Sequence, residues 1–347
     1  MGQVVTIGLD IAKSVFQVHG VDAVGEVMVR RQVRRPQMLQ FFAKQPACLI
    51  GIEACASAHY WARELSRLGH QVKLMPPSYV KPYVKRQKND AADAEAICEA
   101  VSRPNMRFVP MKHVEQQAIL SVHRARQGFV KARTAQANQI RGLLSEFGII
   151  IPQGVGAITK YILGILEDGE NGLPGTMRHL IDRLTENLKE MNRQVKELEA
   201  QIQKWHRDNA ASRKLAEIPG LGPITASAIV ATVGDAREFK NGRQLAAWMG
   251  LVPRQNSSGG KQNLQGISKR GDTYLRTLMI HGARSVVRVA EHKAEPESWL
   301  RKVMGRRNKN VAAVALANKN ARIVWALLAH DRMFRRDYTP AAVVAAM

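Results

Sequence analysis

The succession of strand and helix patterns in the first hundred residues constrains the fold more than any other feature of the chain. Three β-branched, apolar segments come first, over residues 3–10, 14–20 and 25–33, and the last two alternate apolar and polar side chains. Alternation with a period of two is typical of strands that bury one face. Short polar breaks between the segments supply turns. The pattern therefore predicts a three-stranded meander at the start of the chain.

The segments that follow alternate between helix and strand. In chain order they predict a helix over 36–44, a strand over 48–53, a helix over 56–68, a strand over 71–75 and a helix over 90–101 capped by Asn89. The complete order, β-β-β-α-β-α-β-α, is that of the RNase H-like α/β sheet. In that topology the first and fourth strands are neighbours, so their ends lie side by side.

Four acidic residues lie at the ends of these elements. Asp10 ends the first strand and Glu53 ends the fourth, while Asp90 and Asp93 are three residues apart and share one helical face. Like charges at such spacing disfavour each other unless a cation lies between them. Two Mg²⁺ or Mn²⁺ ions about 4 Å apart need oxygen ligands of this kind. The acids predict metal-dependent phosphodiester chemistry, with a helix N-terminal charge as the alternative role for Asp90.

Two long helices are expected in the middle of the chain. Residues 113–147 have one apolar face and predict a single helix, and the Gly- and Pro-rich residues 152–175 predict a linker or an irregular segment. Residues 180–206 carry apolar side chains at alternating steps of four and three, which is a coiled-coil seam. Such a seam can pair with its copy in a second subunit or with helix 113–147, and we favour a homo-oligomer.

Positive charge dominates the composition. Lys and Arg number 52 against 29 Asp and Glu, a formal net charge of +23. An excess of this size repels itself in the folded state unless a polyanion neutralises it, and phosphate contacts by Lys and Arg drive nucleic-acid binding. Between Lys240 and Arg288 there are nine cations and one acid, Asp272. We therefore expect a nucleic-acid-binding protein rather than a protein that is merely basic.

Hydropathy and cysteine usage predict where the chain acts. No segment reaches the roughly 18 consecutive apolar residues of a membrane span. Three cysteines, at positions 48, 55 and 98, have no metal-type spacing, and an odd count without a signal peptide is typical of a reducing compartment. We expect a cytoplasmic protein with no membrane partner.

A glycine-containing turn lies early in the C-terminal part of the chain. Gly220 and Gly222 fall between predicted helices over 212–218 and 225–233. Backbone amides that turn outward at a helix N-terminus bind phosphate. The motif predicts a helix-hairpin-helix that contacts the nucleic-acid backbone, and an ordinary helix–helix turn is the alternative.

A second motif, SSGG over residues 257–260, predicts an exposed, mobile loop. Its flanking cations, which can stabilise the extra charge of a phosphate in a transition state, are Arg254, Lys261, Lys269 and Arg270. A serine hydroxyl placed there can attack phosphorus and hold a strand covalently. By chemistry alone, a polar loop of this composition is more often only a loop, so both interpretations stay open.

Several runs of sequence resemble one known family. GLDIAK, GIEACASAHYW and KNDAADAEAI resemble the DEDD domain of RuvC-like recombinases, the one-ten and one-eleven-eleven groups of bacterial insertion-sequence transposases, which are related to Piv-type DNA invertases. The stretch from IPGLGPITASAIVATVGD through LAAWMGLVPRQNSSGGKQNLQGISKRGDTYLR resembles the transposase domain of the same family. The resemblance covers nearly the whole chain, and its motifs occur in the family's order.

The resemblance implies roles for individual residues. It places the four family acids, as Mg²⁺ or Mn²⁺ ligands, on Asp10, Glu53, Asp90 and Asp93, and the catalytic serine on Ser258. Ser257 becomes the candidate if the alignment slips by one residue. It implies that the serine forms a phosphoserine link to DNA, in a dimer or tetramer whose subunits can share the acids and the serine.

The resemblance also implies the partners and the domain order. The partners are double-stranded donor and target DNA and a structured non-coding guide RNA. We expect a RuvC-like DEDD domain over 1–105, long helices with a coiled coil over 106–208, and a mainly α transposase domain over 209–347. A RuvC-type Holliday-junction nuclease that uses metal-activated water is the alternative function. A non-catalytic binding protein on the same fold is a third.

Overall fold

The computed structural model describes residues 2–85, 89–261, 263–293 and 298–335. The chain divides into two compact units, Met1–His113 and Val114–Met347.

The first unit contains a five-stranded mixed sheet with the strand order β3 (Val27–Arg34), β2 (Val15–Val21), β1 (Thr6–Asp10), β4 (Leu49–Glu53) and β5 (Gln71–Met75). β1 and β2 pair antiparallel, as do β2 and β3, whereas β1 runs parallel to β4 and β4 parallel to β5. The mixed α/β sheet expected from the sequence is therefore confirmed. Its elements are β1 (Thr6–Asp10), β2 (Val15–Val21), β3 (Val27–Arg34), α1 (Met38–Ala43), β4 (Leu49–Glu53), α2 (Ala58–Arg67), β5 (Gln71–Met75), α3 (Pro77–Val80) and α4 (Asp90–Val101).

The two central strands present different residues to the two faces of the sheet. Side chains alternate along a strand, and the fully buried Ile7 and Leu9 of β1 join a core with side chains of α1 and α2 such as Phe42. The opposite face carries Gly8 and, in β4, Gly51, both of which lie directly under α4. The sheet is thus covered by α1 and α2 on one face and by α4 on the other.

Among its described residues, the second unit forms helices and one β-hairpin. Its largest core is formed mainly by the four helices that fall within residues 210–293 and by the helix Lys309–Ala329. Its elements are α5 (Val114–Ser145), α6 (Val155–Glu167), α7 (Gly175–Asp208), α8 (Ala210–Ala216), α9 (Pro223–Val233), α10 (Gly242–Trp248), β6 (Pro253–Gln255), β7 (Leu264–Ile267), α11 (Thr273–Lys293), α12 (Trp299–Met304) and α13 (Lys309–Ala329).

The linker or irregular segment predicted over residues 152–175 is wrong, because the helix α6 occupies most of it. Ile158 and Ile162 are four residues apart, so they face the same way, and both are buried in a core shared with α5 and α7. The glycines misled the prediction: Gly154 precedes the helix, and Gly164 lies within it where nothing crowds its missing side chain.

The heptad seam of α7 packs along α5 of the same chain. Leu188, Val195 and Ile202 of the seam are buried. At the edge of the contact, Arg126 of α5 forms an ion pair with Glu199 of α7, with 2.5 Å between Nη2 and Oε1. Of the two partners that the sequence left open for this seam, the structure has helix α5. A homo-oligomer formed through this seam is therefore not supported, and an oligomer through another surface stays a prediction.

One helix in the described ranges, α13, is long and apolar enough to cross a membrane by length and composition alone. Its residues Ala313, Ala317 and Val324 are fully buried in the core of the second unit. A core helix passes the same test, so this is weak support for a membrane span.

Candidate functional site

Three of the four predicted acids lie together in the first unit. Asp10, Asp90 and Asp93 each offer a carboxylate oxygen, and these oxygens all lie within 4.8 Å of one another. Asp10 ends the central strand β1, while Asp90 and Asp93 lie on the first turns of α4. Two elements distant in sequence thus supply one cluster of oxygen ligands.

The fourth acid, Glu53, ends β4 beside β1 but is not one of the three converging acids. Its negative charge still acts on Asp10 in the cluster. Burial, together with the negative charges of Asp93, Asp90 and Glu53 in that order, raises the pKa of Asp10 from 3.8 to about 6. An acid that resists ionisation because other carboxylates surround it is typical of a site that binds a cation.

Helix α4 is aimed at the cluster by its capping residue. The Asn89 side-chain oxygen accepts a hydrogen bond from the Ala92 amide at 2.8 Å, which satisfies one of the free amides of the first turn. The cap fixes the first turn of α4, so Asp90 and Asp93 have defined positions. The negative carboxylates also interact favourably with the positive end of the helix dipole.

Two glycines that sequence reasoning did not single out allow α4 to lie against the sheet. A Cβ atom on Gly8 would sit 2.1 Å from the Ala94 carbonyl oxygen and 2.4 Å from the Cys98 amide nitrogen, both backbone atoms of α4. A Cβ atom on Gly51 would sit 2.8 Å from Cβ of Val101. The close contact at Gly8 brings the N-terminal turns of α4 to Asp10, which is two residues further along β1.

The spacing of these residues was a signal in the sequence. The motif GLD ends β1 and the motif GIE ends β4. In each, the glycine and the acid are two residues apart and so point to the same face of the sheet. A glycine inside a buried strand indicates a close backbone approach, which is what α4 makes.

In the second unit, the predicted mobile Ser-Gly loop is instead the tip of a β-hairpin. Strands β6 and β7 pair antiparallel. The Lys261 amide donates to the Ser258 carbonyl oxygen at 3.0 Å, across a turn whose central residues Gly259 and Gly260 have φ values of +56° and +77°. Positive φ at both positions is the geometry of a tight hairpin turn that favours glycine. Short pairing and a turn therefore fix the position of the serines.

The two serines of the hairpin have different roles in its structure. The Ser257 hydroxyl oxygen accepts a hydrogen bond from the Asn263 amide at 3.1 Å, so it helps to hold the two strands together. Ser258 is exposed at the turn, and its hydroxyl has no hydrogen-bond partner among the residues that the structure describes. Of the two hydroxyls, that of Ser258 is therefore the more available for reaction.

The predicted cations of this motif lie at both ends of the hairpin. Arg254, Lys261, Lys269 and Arg270 are all exposed. The base of the hairpin is anchored by the buried guanidinium of Arg276, whose Nη1 donates to the Arg270 carbonyl oxygen at 3.4 Å. In the part of the hairpin that the structure describes, the unbonded Ser258 hydroxyl thus lies within a basic surface.

The predicted phosphate-binding turn lies between α8 and α9. Gly222 caps α9, and nothing crowds the position of its missing side chain. Gly220 has a φ of +92° and lies directly against α11, where a Cβ atom on Gly282 would sit 1.8 Å from the Gly220 carbonyl oxygen. The turn is therefore held against α11 by two glycines. Because Pro223 begins α9 and has no N–H, an anion at this helix start would meet the amides of Gly222 and Ile224.

The donor set of the acidic cluster fits a hard divalent cation. Asp10, Asp90 and Asp93 supply only carboxylate oxygens, which are the ligands that Mg²⁺ and Mn²⁺ prefer. Asp10 is half-buried, and the charges of Asp93 and Asp90 contribute to its raised pKa. The three carboxylates therefore repel one another when no cation compensates their charge. The cluster thus has the chemistry of a metal centre.

Two families of known proteins match the chain. Residues 7–149 match the family DEDD_Tnp_IS110, described as Transposase, and residues 212–297 match the Transposase IS116/IS110/IS902 family. The three aspartates lie within the first match and the hairpin within the second.

Relatives are similar over almost their full length. A "Probable family 20 transposase" of Pseudomonas aeruginosa is 55% identical, over 95% of this chain and 98% of the relative. A "Transposase for insertion sequence element IS1111A" of Coxiella burnetii is 42% identical, over 96% of this chain and 92% of the relative. A "Transposase for insertion sequence element IS1328" of Yersinia enterocolitica is 40% identical, over 97% of this chain and the whole of the relative.

Proposed function

The chain belongs to the IS110/IS116/IS902 family of insertion-sequence transposases, enzymes that act on DNA, and from this premise we propose that it cuts and rejoins DNA through a covalent serine intermediate. The observation that carries the proposal is the convergence of the Asp10, Asp90 and Asp93 carboxylates. Transposases with a DEDD domain typically use a divalent metal ion, and three carboxylates within a few ångströms are a fitting donor set.

In this proposal Asp10, Asp90 and Asp93 hold Mg²⁺, and Glu53 adds negative charge at the edge of the centre. The bound ion supplies electrostatic stabilisation of the phosphate and orients it. The chain's own contribution is positional. The cap at Asn89 and the close contact of α4 at Gly8 hold the carboxylates in place before the ion or the DNA arrives.

The nucleophile in this proposal is the Ser258 hydroxyl. Its oxygen forms a bond to phosphorus as the bond from phosphorus to one deoxyribose oxygen breaks. The proton that leaves the serine balances the one that the released deoxyribose oxygen takes up. Attack by another strand's hydroxyl reverses these steps, so the strand is rejoined without any external energy source. Arg254 and Lys261 stabilise the added negative charge at the phosphate.

The proposed partners are double-stranded donor and target DNA and a structured non-coding RNA of the element. The net charge of +23 supports binding of a polyanion of either kind. We further propose that the enzyme works as a homo-oligomer.

An adduct assay tests the chemistry. The full chain is incubated with DNA carrying an element end, the RNA of the flanking region and Mg²⁺, and protein–DNA adducts are resolved under denaturing conditions. We expect an adduct with the native chain and none with Ser258→Ala. Ser257→Ala is the matched control, because it removes a neighbouring hydroxyl that supports the hairpin but keeps Ser258.

The assay separates the proposal from hydrolysis by metal-activated water. A Ser258→Ala chain that still cuts DNA without forming any adduct would contradict the serine mechanism and support a junction nuclease. An Asp10→Asn chain that cuts at the native rate would show that the acidic cluster is not the metal centre.

A further inference from the structure

Helix α11 carries an unusual exposed face. Thr277, His281, Arg284, Arg288 and His292 are all exposed and follow one another at steps of four, three, four and four. Residues at these steps lie on one side of a helix. The opposite side, which includes Met279, Ala283 and Val287, is buried in the core. The helix therefore presents a straight stripe of hydroxyl, imidazole and guanidinium groups to solvent.

One end of this stripe lies next to the parts already assigned to phosphate chemistry. Helix α11 begins at Thr273, directly after the hairpin base with Lys269 and Arg270. His281 and Ser285 of α11 line one cleft together with the α8–α9 turn. The stripe thus starts beside the serine hairpin and passes the predicted phosphate-binding turn.

The other end of the stripe meets a second basic segment, residues 298–310. The Arg284 guanidinium reaches the Asn310 side-chain oxygen at 3.4 Å, and Lys309 forms an ion pair of 2.6 Å with Glu291 of α11. Exposed Arg306 and Arg307 lie between α12 and α13 in this segment. The stripe and the segment are therefore one connected surface.

The charge of this surface is predominantly positive, and its acid Glu291 is paired with Lys309. From residue 298 to residue 330 the sequence contains no Asp or Glu, and it contains Arg301, Lys302, Arg306, Arg307, Lys309, Lys319 and Arg322. The packing of α13 explains only part of this excess of positive charge. Its buried side needs apolar residues, but its solvent-exposed side could carry charge of either sign. A surface of this charge has electrostatic complementarity to a polyanion.

We propose that the α11 stripe and residues 298–310 form a track for the backbone of duplex DNA that leads away from the serine hairpin. The proposal rests on the proposed function and extends it to the DNA beyond the cut. The stripe from Thr277 to His292 is about 22 Å long at about 1.5 Å per residue. At about 3.4 Å per base pair, this length corresponds to roughly six to seven base pairs.

The chemistry of the stripe favours a duplex backbone over unpaired bases. Arginines contact phosphate oxygens without reading sequence. Proteins that hold single strands also offer aromatic side chains on which bases stack. The five stripe residues include no Phe, Tyr or Trp. In residues 298–310 the aromatic residue is Trp299, and the Lys319 ammonium already lies over its ring, 4.5 Å from the centroid. The track is therefore suited to phosphates rather than to stacking.

Charge-neutral substitutions test the track in the full chain. The variant combines Arg284→Gln, Arg288→Gln, Arg306→Gln and Arg307→Gln. The control combines Arg183→Gln, Lys196→Gln, Lys204→Gln and Arg207→Gln, which removes the same charge from exposed positions on α7. Binding to duplex DNA of mixed sequence is measured by fluorescence anisotropy with EDTA, so that no cleavage occurs, at salt concentrations from about 50 to 200 mM.

The track predicts a specific change in salt dependence. Each lost phosphate contact lowers the slope of log affinity against log salt by about 0.9, so the variant loses about 3 to 4 units of slope and about tenfold or more in affinity. The control keeps the native slope to within about 0.9, which is the change expected for one phosphate contact. Hydroxyl-radical footprints on element-end DNA lose protection on one side of the cut, over roughly six to seven base pairs.

Other outcomes overturn the track and leave the proposed function identifiable. A variant with the native slope and footprint shows that DNA does not lie there, even if the native chain forms the serine adduct. A variant that loses binding to duplex RNA but keeps duplex DNA assigns the surface to RNA and contradicts the proposal. If the native chain forms no adduct but the variant loses slope, the serine mechanism fails and the track stands.

Discussion

The Gly8→Ala substitution tests how the fold builds the acidic centre. The added Cβ atom would sit 2.1 Å from the Ala94 carbonyl oxygen, whereas ordinary contact begins at 3.4 Å. Because Ala94 and Cys98 contribute backbone atoms, no side-chain rotation relieves the clash. Strand and helix must separate by about 1.3 Å, the difference between these two distances.

A displacement of this size exceeds what a metal centre tolerates. Mg²⁺ requires oxygen ligands at about 2.0–2.1 Å in nearly octahedral geometry, and credible sites keep their distances within about 0.2 Å. Asp93 is adjacent to Ala94, so it moves with the helix and away from Asp10. We expect the affinity for Mn²⁺ to fall by about 10- to 100-fold, the range found when groups that support metal ligands are removed.

The assay is Mn²⁺ titration of the full chain by electron paramagnetic resonance, with far-ultraviolet circular dichroism as the check of folding. Gly20→Ala is the matched control, because its Cβ atom in β2 would meet only side-chain atoms, the nearest at 3.2 Å. We expect Gly20→Ala to bind Mn²⁺ as the native chain does. A folded Gly8→Ala chain with native Mn²⁺ affinity would refute the link between helix approach and the centre.

Three further substitutions probe the two units. Without metal, Asp10→Asn should raise the unfolding free energy by about 1–2 kcal/mol at pH 8 after allowance for solvent screening, and by nothing at pH 3. The reason is that the pKa of Asp10 rises from 3.8 to about 6 on folding, so its ionisation favours the unfolded chain; urea denaturation at both pH values measures this. The unfolding free energy of the native chain should also fall by up to about 3 kcal/mol between pH 7 and pH 4 because of His123. Burial lowers the His123 pKa from 6.5 to about 4, so protons bind first to the unfolded chain, and the loss should shrink in His123→Gln in the same titration. Gly282→Ala should displace the turn at Gly220, and a native salt dependence of duplex DNA binding would contradict a role for that turn.

Strand order in the first unit could be predicted because the signal there is local. Each signal depends on only a few neighbouring residues: the alternation of apolar side chains, the Asn cap of α4 and the polar turns between the first strands. The position of Asp10 beside Asp90 and Asp93 then followed from topology alone. The contact at Gly8 could not be predicted in the same way, since it depends on the depth at which α4 packs. That depth is set by atoms some 86 to 90 residues away in the sequence.

The second unit was harder to predict because its patterns have more than one physical solution. A heptad seam satisfies its apolar residues equally well in a second subunit or in the same chain. In the structure, Leu188 of the seam is buried in a core with Ile140 and Leu144 of α5. Likewise, SSGG is compatible with a loop or a tight turn. The antiparallel pairing of β6 and β7 makes SSGG a tight turn. These strands are too short to give a clear pattern in the sequence.

The acidic cluster, the α11 stripe and the Ser258 hydroxyl should each give a different defect when mutated. Experiments can therefore test the three parts of the mechanism separately. Gly8→Ala disturbs the carboxylates but no exposed cation, so it should lower metal affinity and leave the salt dependence of DNA binding unchanged. Loss of Arg284 and Arg288 removes phosphate contacts far along α11 and leaves the carboxylates intact, so metal affinity should stay native. Ser258→Ala should change neither binding property, because its hydroxyl has no hydrogen-bond partner among the described residues, and should remove only the covalent step. A variant of one class with the signature of another would show that these groups depend on each other before DNA is bound.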